Sequence, residues 1–239
     1  MKRDYLSASA LKAFAKSPNH YLDYVQQKFE PSTEMKLGTL VHLLLLEPNE
    51  FDNRYAVAPH INLRTKAGKA EMEQIQKENE GKEVIKLDFL LDAQYIVSKA
   101  NANPTFRQLM KTEFVAEQKV DGDIFGFPFT SRIDMETEAF VYDIKTTKDA
   151  SPDAFMRAAH NLGYHIQAVI YRKLTGKKFR WVAIETQAPF NVVVYQQSEE
   201  AFMRVEAQVG DLVQAFVAWD GTPKGYTDKV LELDLPRWA

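Results

Sequence analysis

A chain of 239 residues with 45% apolar and 26% charged residues can bury a sizeable core as a globular protein. Its formal net charge of −3 excludes a uniformly basic nucleic-acid binder, although it leaves room for local basic patches. Because cysteine is absent, disulfides, thiolate zinc sites and iron–sulfur clusters are excluded.

The strongest apolar run, residues 40–46, is too short to span a bilayer, and residues 1–7 carry no signal-peptide core. A cytoplasmic protein without a membrane partner is expected. Ser7 reads as the cap of a first helix, continued by Leu11, Phe14 and Ala15 until Ser17 and Pro18 stop it. A second helix is expected over residues 20–29 and a third over 35–47, closed by Pro48. In the third, Leu37, Leu40, Val41, Leu44 and Leu45 mark a buried side, while Gly38 and His42 share another face. Glycine there costs about 1 kcal/mol of helix propensity, which suggests that another backbone comes close. Taken alone, His42 reads as a core histidine or as a complement to the helix dipole.

Residues 53–63 read as irregular, 65–80 as a polar exposed helix, and 88–100 as a well-patterned helix followed by a turn over 106–110. From Glu113 the hydrophobic period changes from helical to alternating. Strands are expected over 113–120 and 124–135, joined by a turn at Asp121 and Gly122, with Pro128 at a bulge or edge. A third strand covers 140–146, and a turn over 136–139 places Asp134 opposite or diagonal to Asp143. Asp143 and Lys145 point to one side of that strand and Ile144 to the other. Two carboxylates and an ammonium gathered at one point suit phosphodiester hydrolysis, in which oxygen ligands hold Mg²⁺ and a lysine orients or deprotonates the attacking water. An exposed surface ion pair is the plain alternative. Glu117, on the first strand, can face the same way as an auxiliary ligand, subject to strand register.

Ser151, Pro152 and Asp153 start a helix, by capping, by a proline in the first turn and by an acid at the N-terminus. It breaks near Gly163 and resumes to Leu174, with Gln167 and Tyr171 on one face. Strands over 178–185 and 191–196 precede a long amphipathic helix from Ser198 to Trp219 and an irregular tail. Two basic clusters stand out: Arg64, Lys66 and Lys69, and five basic residues between Arg172 and Arg180. A solvated loop and cations at a helix end are their plain explanations.

This order of a helix, three strands, a helix and a further strand resembles the core of the PD-(D/E)XK nuclease superfamily. Gly38 to His42 resembles the Gly-x-x-x-His helix of its RecB-like branch, Asp134 the first strand acid, and Asp143-Ile144-Lys145 the Asp/Glu-x-Lys strand. Gln167 to Tyr171 resembles the Gln-x-x-x-Tyr helix. Over essentially the whole chain the pattern is similar to RecE-type exonucleases, the nuclease domain of exodeoxyribonuclease VIII and its phage relatives. The resemblance extends to residues 7–12, 17–21 and the 235–238 ending.

The resemblance implies one α/β domain over 1–239: a helical part to about 110, a central mixed sheet with flanking helices to about 220, and the tail. It implies a Mg²⁺-dependent exodeoxyribonuclease that degrades one strand of linear duplex DNA from the 5′ end and leaves a 3′ tail. His42, Asp134, Asp143 and the Ile144 carbonyl would hold the metal, Lys145 would activate water, and Gln167 and Tyr171 would position the scissile strand or support the ligands. A homo-oligomeric ring, trimer or tetramer, and a single-strand annealing partner of the RecT type come with the same resemblance. An imidazole beside the carboxylates further suggests that Mn²⁺ substitutes for Mg²⁺. Arg64 or Lys66, with Lys69 in the same cluster, is expected to contact the DNA backbone near the active site through charge. A non-catalytic DNA-end-binding module and a structure-specific endonuclease are the alternatives.

Overall fold

The computed structural model describes residues 2–26 and 30–227, with Val230 and Glu232. The end of the expected second helix and the 235–238 motif lie outside the described residues.

Local chemistry sets where the helices begin. Ser7, Ser32, Thr65 and Ser198 each accept from an amide further along, capping α1 (Ala8–Lys16), α3 (Thr33–Leu46), α5 (Lys66–Glu78) and α10 (Glu199–Ala218). Between them lie α2 (Pro18–Gln26), the short α4 (Phe51–Arg54) and α6 (Leu87–Ala102). Asn103 caps α7 (Pro104–Leu109), so the expected turn at 106–110 is a short helix. At α8 (Pro152–Asn161) the proline occupies the first turn, but Ser151 makes no side-chain cap; its amide instead donates to Asp149 Oδ1 at 2.8 Å. The chain reverses its backbone sense at Gly163 before α9 (Tyr164–Thr175) begins.

Residues expected to be irregular include β1 (Tyr55–Ala58), which pairs in parallel with β2 (Glu83–Lys86). With only four residues each, these strands are too short for alternation to stand out. The central sheet has five strands, β3 (Val115–Ile124), β4 (Phe127–Glu136), β5 (Phe140–Thr147), β6 (Lys178–Glu185) and β7 (Val192–Tyr195), in that spatial order. Only β5 and β6 are parallel, as the α8–α9 crossover between them requires.

The first hairpin turns four residues later than expected, at Phe125 and Gly126, both with positive φ. Asp123 Oδ1 fastens this turn by accepting from the Gly126 amide at 2.8 Å. Gly122 sits inside β3 for a different reason: a Cβ there would lie 2.9 Å from Leu174 Cδ2 of α9. Pro128 occupies the free side of β4, as its missing donor demands. There Leu6 pairs instead, donating to the Pro128 carbonyl and accepting from the Thr130 amide, each at 2.9 Å.

Helices cover both faces of the sheet. Phe179, Trp181 and Ala183 of β6 face a core with Phe14, Phe155, Val169 and Phe216, while Val182 and Ile184 face another with Leu40, Ile96 and Ile144. Burial on both sides explains why β6 reads as a nearly continuous apolar run.

β3 and β4 pair along their whole length, and β5 and β6 over eight residues, yet β4 and β5 pair only at Met135–Tyr142 and Glu136–Val141. The sheet therefore opens between β4 and β5. Beyond the far end of β5, buried Glu185 accepts from the Ala150 amide at 3.0 Å and the Asn191 amide at 2.8 Å, tying two loops together. Replacing it leaves both donors unsatisfied. Glu185→Ala should lower the unfolding free energy by about 2 to 4 kcal/mol in urea denaturation; an unchanged midpoint would show that this clasp contributes nothing.

Candidate active site

Where β4 and β5 part, the carboxylate of Asp134 takes over from the backbone ladder. Its Oδ2 accepts from the Ile144 amide at 2.7 Å. His42 Nδ1 lies 3.5 Å from the same oxygen, and the imidazole also bonds the Ile144 backbone. α3 can carry His42 this close because Gly38, one turn earlier, lacks a side chain. A Cβ on Gly38 would stand 2.8 Å from Thr146 Oγ1 of β5. The neighbour that glycine admits is thus a side chain rather than a backbone.

Glu117 completes a cluster with His42 and Asp134, one donor atom from each lying within 4.8 Å of the others. The register sets Glu117 across from Asp134, between the pairs Ala116–Met135 and Gln118–Ile133. Its φ of 51° is a left-handed conformation that disfavours a glutamate inside a strand. An uncommon backbone at a cluster of ligand-type side chains is where functional strain is expected to collect.

Asp143 faces the opposite side of β5, toward α9. Lys145 Nζ lies 2.6 Å from its Oδ2, and Gln167 Nε2 donates to its Oδ1 at 2.8 Å. Gln167 is held by Tyr171, 2.9 Å away, whose hydroxyl donates to the Arg132 carbonyl of β4 at 2.7 Å. Helix spacing places Gln167 and Tyr171 one turn apart, so α9 links the two separated strands from behind. Tyr164, which the sequence reading passed over, lies under the ammonium with its ring centroid 4.9 Å from Lys145 Nζ. The available signal was its position immediately after the helix-breaking Gly163.

A cleft of about 640 Å³ opens onto His42, Glu117, Asp134, Ile144 and Lys145. Asp143 does not line it, and is engaged by Lys145 and Gln167 instead of joining the His42 cluster. Arg64, Lys66 and Lys69 are exposed and are not among the lining residues, whereas Lys148 is. In the second basic cluster, Arg172 pairs with Glu199 and packs on Phe202, and Lys177 pairs with Glu136. Arg180 lies on the Phe140 ring, so these charges serve the fold.

Burial and the adjacent Asp143 push the Asp134 carboxyl up to about 8. Burial and Asp134 likewise raise Glu117. His42 is lowered by burial and by the charge of Lys145, which leaves its imidazole neutral with a free lone pair. Burial lowers Lys145, but Asp143 and Asp134 outweigh it and hold the ammonium above its ordinary value. Crowded carboxylates that resist ionisation, beside a neutral imidazole, form a donor set suited to a divalent cation. His42, Glu117 and Asp134 can hold such an ion, with the Ile144 carbonyl beside them.

The profile of a family described as a PDDEXK-like domain of unknown function (DUF3799) matches residues 7–218. The chain belongs to this family. No curated protein sequence matches it. Among solved structures, a candidate exonuclease from Eubacterium rectale is 15% identical, with a TM-score of 0.62 over 98% of this chain and 91% of that one. This likeness shows that the PDDEXK-like chain has the same fold. An alkaline exonuclease from Laribacter hongkongensis is 12% identical, with a TM-score of 0.37 over 91% and 90% of the two chains. A phage-related exonuclease from Haemophilus somnus is 13% identical, with a TM-score of 0.36 over 64% and 81%.

The raised Asp134 pKa has a defined consequence for stability. Between pH 4 and 8 the unfolded carboxyl has ionised while the folded one keeps its proton, so this group's contribution is full below about 4 and lost as pH climbs through about 8. Asparagine keeps an acceptor for the Ile144 amide without the charge. In chelator, Asp134→Asn should raise the melting temperature by several degrees at pH 9 and far less at pH 4. Mn²⁺ should stabilise the wild type and not this variant; equal metal-induced shifts would remove Asp134 from the ligand set.

Proposed function

We propose that this PDDEXK-like protein is a metal-dependent exodeoxyribonuclease that degrades one strand of linear duplex DNA from its 5′ end. The observation that carries the reading is the juxtaposition, across one opened strand pair, of the His42–Glu117–Asp134 donor set and the Lys145–Asp143 pair. The family description and the exonuclease name of the Eubacterium rectale structure support the same reading.

A divalent cation bound there supplies charge neutralisation for a phosphate and an acidified water. His42, Glu117 and Asp134 would hold it, with the Ile144 carbonyl as a further oxygen donor. Lys145 activates the attacking water by orienting it, its ammonium steadied over Tyr164 and against Asp143. The Gln167 amide fixes Asp143, and the Tyr171 hydroxyl fixes Gln167, which sets the face of β5 that Lys145 presents. Asp143 enters the metal site on this reading only if Lys145 and Gln167 release one of its oxygens. Mg²⁺ is the proposed ion, and His42 makes Mn²⁺ a working substitute.

The finer reading follows the RecE-type pattern: 3′ tails left for strand annealing, a partner of the RecT type, a ring of three or four copies, and a cytoplasmic setting. Arg64, Lys66 and Lys69 contribute to duplex binding away from the catalytic cleft. Their replacement by alanine should weaken duplex affinity at low salt without changing the metal requirement.

Two comparisons test the activity. With Mg²⁺, wild type should degrade linear duplex and spare a covalently closed circle of the same sequence. Lys145→Ala should lower the rate by about two orders of magnitude or more. Cleavage of the circle would make the protein an endonuclease, and no cleavage of either DNA with Mg²⁺ or Mn²⁺ would leave a DNA-end-binding module. Glu117→Gln should weaken the apparent Mn²⁺ affinity measured by titrating activity; an unchanged curve would take Glu117 out of the metal site.

A further inference from the structure

Met35 separates the catalytic cleft from a second one of about 590 Å³, formed where α1 and α2 meet the α8–α9 junction. Lys12, Lys16, His20 and His160 line it against a single acid, Asp23. Tyr24 and Met35 add exposed apolar surface at 41% and 50%. Basic groups interleaved with an aromatic ring suit a nucleic-acid strand, whose phosphates need cations and whose bases stack.

Lys12 differs from Lys16, the other lysine of this cleft. Its stem runs across Gly163, where a Cβ would come 2.9 Å from Lys12 Cδ and 3.1 Å from Cγ, so the glycine makes room for it. It is half-buried, and among the described residues it forms no hydrogen bond or ion pair. Asp143, the carboxylate within its electrostatic reach, is already engaged by Lys145 and Gln167. Burial, then the charge of Lys145, pushes its pKa down to about 8. Withdrawing an ammonium from water without a partner is costly, and an anion entering the cleft would remove that cost.

We propose that this cleft is a second phosphate subsite, in which Lys12 holds a DNA phosphate next to the one attacked in the catalytic cleft. The proposal rests on the nuclease reading above. Two sources share the chemistry, the terminal 5′-phosphate and an internal phosphodiester of the same strand.

Lys12→Met keeps the apolar stem and removes the charge. Its affinity for duplex ends, measured by fluorescence anisotropy in chelator, should fall about tenfold, with a salt slope smaller by about one. A loss confined to 5′-phosphorylated ends assigns the terminal phosphate, and an equal loss on 5′-hydroxyl ends assigns an internal one. In the wild type, DNA should also protect Lys12 from acetylation at neutral pH, read by peptide mass spectrometry. Wild-type affinity in the variant, or unprotected Lys12 in the DNA complex, would overturn the subsite. Because both readouts work without catalysis, a wild type that binds DNA but cuts nothing would sink the nuclease reading separately.

Discussion

The hydrogen bond from the Ile144 amide to the Asp134 carboxylate is the contact on which the arrangement depends. It lies where the β4–β5 ladder ends, so one side chain satisfies a donor that a neighbouring strand would otherwise have taken. A strand pair continued past this point would bury Asp134 against backbone and close the cleft. With the ladder interrupted, β5 keeps its parallel neighbour β6 on one side and presents a free edge on the other. His42 reaches that edge from α3, and Gln167 with Tyr171 bridges the gap from α9.

The two faces of β5 carry different electrostatic tasks. On the cleft side, two carboxylates compete for a small volume and are pushed toward their protonated forms, while the imidazole is pushed toward neutrality. On the α9 side, Asp143 is ion-paired with an ammonium through Oδ2 and accepts a hydrogen bond from an amide at Oδ1. Lys145 connects the two, because both acids act on its proton. One peptide unit therefore separates a donor set suited to a cation from a cation the protein supplies itself.

Much of this could be read in the sequence because its spacing is local. Gly38 with His42 and Gln167 with Tyr171 are one-turn pairs, and Asp143 with Lys145 is a strand alternation; neither depends on tertiary context. Asp134 needed only a short turn to be placed opposite Asp143. The direction of Glu117 was beyond reach, since it follows from a left-handed residue inside a strand that no periodicity reports. The hairpin turn was misplaced because Asp121-Gly122 carries the stronger turn chemistry, whereas Gly122 answers to the close approach of Leu174. Charge clusters gave no direction either: Arg64, Lys66 and Lys69 stand apart from the cleft, while Lys12, an isolated lysine in an ordinary amphipathic helix, lines a cleft beside it.

The backbone at Glu117 sets two selective pressures against each other. Glycine is the residue that a φ of 51° favours, so exchanging Glu117 for it would relax the chain while deleting a donor atom from the cluster. Laboratory evolution that scores only heat resistance or expression would drift toward that exchange and enrich well-folded proteins with an impaired site. A glutamate retained there under such a screen would point to work that the screen does not measure.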